Sequence, residues 1–173
     1  MHALFIIFNS YLLISLKMIQ EKNLLSALNT ALDETFENVV GMYLDPGNSL
    51  FTTLDEITAE QASIPVGGRC ASLAAQVAHV TLYLDVNERW ILKQPVGKTD
   101  WGEIWRTVEV VTPAQWEAAK QTLTQRYQRV RATLRGIQSW DDEDVIGGVV
   151  ALIAHTAYHL GEIRQACCTL KAD

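Results

Sequence analysis

Four histidines occur among the 173 residues, and three of them form a pattern with chemical meaning. His155 and His159 are one helical turn apart, so both imidazoles project from the same helix face. This is the spacing at which two histidines of one helix grip a single metal ion. His79 lies near the middle of an earlier helical segment, and if the two helices pack as neighbours the three side chains meet at one depth. Ala75, Val77, Ala78 and Val80 surround His79, and the run Val149-Val150-Ala151-Leu152-Ile153-Ala154 precedes His155. Such apolar surroundings disfavour imidazolium, and neutral imidazole is the form that ligates metal. Three neutral nitrogens leave a coordination position open for water or substrate, as in catalytic metal sites. A lone histidine on an apolar face is ordinarily a hydrogen-bonded core residue, and an H-x-x-x-H pair alone is a weak signal. The third histidine on a second helix carries the argument.

Four long segments have the periodicity needed to position these groups. The first is expected from about Met18 to Gly41, with Leu25, Leu28, Leu32, Phe36 and Val39 on one face. Asp45-Pro46-Gly47-Asn48 signals a turn, a short helix from Ser49 to Asp55 follows, and Ile64-Pro65-Val66-Gly67-Gly68 breaks the chain again. The second long helix is expected from about Arg69 to Leu92, with Leu73, Val77, Val80 and Leu84 inward. Pro95, Gly97 and Gly102 mark a connection that carries Trp101 and Trp105; with Trp90 these aromatics either wall a substrate pocket or close a core. Val108 to Val111 reads as loop rather than strand. Thr112-Pro113-Ala114-Gln115 starts the third helix through a capping box with Pro in the first turn. That helix presents Trp116, Ala119, Leu123, Tyr127, Val130, Leu134 and Ile137 inward. The acidic run Asp141-Asp142-Glu143-Asp144 suits the start of the fourth, which extends to about Leu170, with Gly147-Gly148 a soft spot. The expected class is all-α, a four-helix bundle with long crossover connections.

Bulk properties fit one soluble domain. Hydrophobic residues make up 49% and charged residues 20% of the chain, ordinary values for a globular protein. The net charge is -6 and no Lys/Arg cluster stands out, which argues against a nucleic-acid partner or an anionic membrane surface. Cys70, Cys167 and Cys168 include no C-x-x-C, so they support neither a structural zinc site nor a thioredoxin motif. They read as thiols of a reducing, cytoplasmic compartment. The apolar run from Ala3 to Leu16 is short for a membrane span and lacks the basic flank and cleavage site of a signal peptide. Residues 1–17 are read as an extension, either upstream of a natural start at Met18 or adding turns to the first helix, and residues 18–173 as the domain.

The segment His155-Thr-Ala-Tyr-His159-Leu-Gly161-Glu162-Ile163-Arg164-Gln165 resembles the last-helix motif of the DinB/YfiT-like superfamily. Ser72-Leu-Ala-Ala-Gln-Val-Ala-His79-Val-Thr-Leu-Tyr83 is similar to that family's other histidine helix. The resemblance spans roughly Met18 to Leu170. It implies a four-helix bundle, commonly a homodimer, with one divalent ion such as zinc or nickel on His79, His155 and His159. Characterised members include metal-dependent thiol S-transferases and maleylpyruvate isomerase that use low-molecular-weight thiols, which implies activity on a small-molecule substrate; a metal with an open position can activate either a thiol or water, so a thiol S-transferase or a hydrolase is expected. Where the family often has Gln after the motif glycine, this chain has Glu162. That carboxylate shares the face of the two histidines and can orient a ligand imidazole, accept a proton or approach the metal; equally, it can be solvated or pair with Arg164. Tyr83, one turn beyond His79, either bonds a bound group or packs. A non-catalytic, dimeric metal-binding module is the competing expectation.

Overall fold

The structure, a computed structural model, describes residues 20–68 and 70–170. The apolar run of residues 3 to 16, His2 and the expected start at Met18 therefore lie outside the described residues, as does Arg69. Everything described is helix or irregular chain, with no strand. Four helices are long: α1 (Glu21–Phe36), α4 (Leu73–Ile91), α6 (Pro113–Gly136) and α7 (Glu143–Leu170). Three are short: α2 (Leu50–Asp55), α3 (Ala59–Ser63) and α5 (Glu103–Thr107).

Local chemistry sets most of the boundaries. Ser49, Ser72 and Thr112 each accept a backbone N–H of the first turn of α2, α4 and α6, which satisfies one of the donors a helix start leaves open. Gln115 completes the capping box expected for α6, with Pro113 in the first turn. At the start of α7, Asp142 Oδ1 accepts from the N–H of Asp144 at 2.9 Å, and Lys93 bridges Asp142 and Asp144.

Two expected boundaries are corrected. α1 ends at Phe36, before Val39 and Gly41, because the Glu34 carboxylate collects the N–H groups of Val40, Met42, Tyr43 and Leu44 at 2.6–3.0 Å. A chain folded back to donate those groups to Glu34 cannot continue the helix. α4 begins at Leu73 rather than Arg69, since Ser72 is its cap.

Element directions follow from contacts. Asp85 of α4 pairs with Arg126 of α6, and Glu88 pairs with Arg129 and Thr133, so these helices run parallel. The parallel arrangement requires the 92–112 connection, with α5 inside it, to return along the molecule. α7 runs antiparallel to α4: Trp90 and Ile91 lie against Gly148, while His79 lies against His155 and His159. A Cβ on Gly148 would come within 2.8 Å of both Trp90 and Ile91, so this glycine is a close-approach point between the helices. Gly147 and Gly161 have nothing among the described residues within 4 Å of such a Cβ. α1 joins α6 through Phe36 stacked on Tyr127 at 4.3 Å and Arg131 paired with Asp33 and Glu37. The core is continuous, from Leu32 and Phe36 through Leu73, Val77, Val80 and Leu84 to Leu123, Tyr127, Val149, Leu152, Leu160 and Ile163.

Candidate metal centre

Each of the three histidines arrives on a long helix that packing has already fixed. Val77, Val80 and Leu84 bury the inward face of α4 and thereby aim His79 at α7. Leu152, Leu160 and Ile163 do the same for α7, which turns His155 and His159 toward α4. The antiparallel register closes the set. One ring nitrogen from each of His79, His155 and His159 lies within 4.8 Å of the others, and His79 Nε2 and His155 Nε2 are 3.1 Å apart. That separation is close to the ~3.4 Å edge of a tetrahedron with metal–nitrogen bonds of about 2.05 Å. The convergence expected from sequence is present, and the group can hold a metal ion.

The surroundings favour neutral imidazoles. His79 is 7% and His159 5% exposed, while His155 is half-buried. Burial lowers the pKa of all three. Repulsion from His159 adds to this at His79, and repulsion from His159 and His79 brings His155 down to about 4; Glu162 opposes the shift at each. At neutral pH the cluster therefore offers lone pairs rather than protons.

Two residues orient His159. Its Nδ1 lies 2.7 Å from Gln76 Oε1 and 2.9 Å from Glu162 Oε2. An Nδ1–H shared between these acceptors leaves Nε2 as the ligating nitrogen. The other oxygen of Glu162 accepts from the Tyr158 hydroxyl at 2.5 Å, so both oxygens of this carboxylate are engaged. Arg164 bonds Thr53 instead. Among the alternatives for Glu162, this geometry favours orientation of a ligand imidazole. Gln76 is the residue that sequence reading missed. It precedes His79 by three positions, and its role is visible only once α7 is set beside α4.

Aromatic rings enclose the imidazoles. Tyr83 stacks on His155 at 3.7 Å and 19°, and its hydroxyl accepts from Asn87 Nδ2 at 3.4 Å. Trp105 lies 4.6 Å from His79 and 6.5 Å from His159, ring to ring; Trp101 lies 5.9 Å from His79 and 6.0 Å from Tyr83. Trp90 stands apart from this group, beside Gly148. Trp105 is carried by α5 and Trp101 by the turn before it, within the connection that Pro95, Gly97 and Gly102 mark. One atom is at odds with an ideal ligand set: His79 Nδ1 is buried and has no partner among the described residues.

The three cysteines lie outside the imidazole group, and none forms a disulfide. Compared with family models, curated proteins and solved structures, the chain matches none of them.

Proposed function

We propose that this chain is a divalent-metal-dependent enzyme of the DinB-like kind, a four-helix bundle of α1, α4, α6 and α7 that acts on a small electrophilic molecule by thiol transfer or hydrolysis. The observation that carries the reading is the meeting of three imidazoles from two helices, two buried and one half-buried, one of them already oriented by a carboxylate and an amide. His79, His155 and His159 would hold the ion, with zinc or nickel suited to such nitrogen donors. When bound, a divalent ion supplies Lewis acidity that makes a thiol or water nucleophilic near neutral pH.

The chain's own contributions are positional. Gln76 and Glu162 hold the proton of His159 on Nδ1, and Tyr158 fixes the carboxylate in turn. Tyr83 keeps the His155 ring in plane by stacking. Trp101 and Trp105 shield the imidazoles from bulk water on one side.

The test compares metal-free protein with zinc- and nickel-loaded protein for consumption of a low-molecular-weight thiol, and for hydrolysis, over a panel of small electrophiles. The reading predicts turnover that needs metal and vanishes in His155→Gln. Loaded protein that is inert in both assays would favour the competing metal-binding module.

A further inference from the structure

The indoles of Trp101 and Trp105 are exposed at 37% and 40% although they touch a buried group. Each contacts the His79 ring, and with Tyr83 they form an aromatic rim directly around the imidazoles. Their placement is fixed rather than incidental. Asp100 accepts the N–H of Gly102 at 2.9 Å and pairs with Arg106 at 2.6 Å, which locks the turn between the two tryptophans.

The charge around the rim is equally informative. Among the described residues, no Lys or Arg forms a ring contact with the three imidazoles, Trp101, Trp105 or Tyr83. Arg106, on the same short helix, is neutralised by Asp100, and the formal charge in contact with the cluster is the carboxylate of Glu162. Partly exposed indoles beside a ligand cluster suit a flat apolar body, and the rim offers no cation of its own to pair with an anionic one.

Resting on the metal reading above, we infer that the rim of Trp101 and Trp105 is a subsite for an uncharged aromatic portion of the substrate, whose metal-seeking group reaches the three histidines. The indoles bind the ring, and the imidazole cluster takes the head group.

Calorimetric titration of zinc-loaded protein with benzohydroxamate and acetohydroxamate tests this, since both carry the same metal-binding head and only one carries a ring. The aromatic-over-aliphatic preference is expected to be about fivefold larger in the wild type than in Trp105→Leu. Trp101→Leu gives the same comparison should Trp105→Leu not fold. A carboxylate added para on benzohydroxamate is expected to weaken binding. Equal preferences in wild type and variants, or no binding of either probe to protein that carries zinc, overturn the subsite while leaving the metal centre standing. Protein that takes up no zinc overturns the metal reading and the subsite with it.

Discussion

The imidazole of His159 shows how much of this site depends on partners other than ligands. A neutral histidine has one proton to place, and Gln76 and Glu162 both draw it to Nδ1. Removing such a partner typically weakens metal affinity 10- to 100-fold, so Gln76→Leu and Glu162→Leu are each expected to raise the zinc dissociation constant by about that factor, read by competition with a chromophoric chelator. Unchanged affinity in both would remove the orienting role. The lowered pKa values set a pH dependence for the metal-free protein. The unfolded chain protonates its imidazoles near 6.5, whereas folded His155 waits until about 4. Between these values the unfolded state binds more protons, so stability rises with pH across this window and drains as pH falls through it. Glu34 acts in the next window. Burial alone would raise its pKa, but four backbone donors outweigh burial and bring it from 4.5 to about 2, so its stabilisation is complete above 4.5 and lost toward 2. The urea midpoint of metal-free protein is expected to fall from about pH 7 to about pH 5, less steeply in His155→Gln. A flat profile would contradict imidazoles held neutral in the folded cluster.

Among the elements, the contact between α4 and α7 matters most because it fixes where His79 meets its partners. Gly148→Ala would drive a methyl into Ile91 and Trp90 and is expected to cost about 1–3 kcal/mol, as overpacking does. Gly147→Ala, exposed and unobstructed one residue earlier, is expected to stabilise by up to ~1 kcal/mol through helix propensity. Chemical denaturation of the two variants checks the pair, and equal effects would mean that the close approach is not at Gly148. The same helices show what was legible in the sequence. The limits of α6 and α7, the Ser49 start of α2 and the inward faces of α4 and α6 follow from caps and periodicity, which are local. α1 was overrun because Glu34 reaches six to ten residues ahead, and no period records such a contact. α5 is not legible because five residues are too few to show a period, although Trp105 within it and Trp101 just before it stand out in the sequence. Gln76 was invisible for a different reason: an amide on a helix face acquires meaning only from the helix opposite.

For the molecule as a whole, an ion held by His79, His155 and His159 would tie α4 to α7 at mid-length. Ligand that binds only the folded state stabilises it by ~2.7 kcal/mol at a free concentration 100-fold above its dissociation constant. For a domain of this size that corresponds to a rise in Tm of roughly 5–10 °C, expected on adding zinc to metal-free protein and reversed by a chelator. Scanning calorimetry measures it directly, and an identical Tm with and without zinc would count against a cross-helix ligand set. The measurement closest to the central claim is the metal content of protein purified without a histidine tag, for the wild type and for His79→Gln, His155→Gln and His159→Gln. The account predicts about one divalent ion per chain in the wild type and a loss of most of it in each variant. Less than about 0.2 ion per chain in wild type reconstituted with zinc or nickel, or full occupancy retained in all three variants, would contradict it.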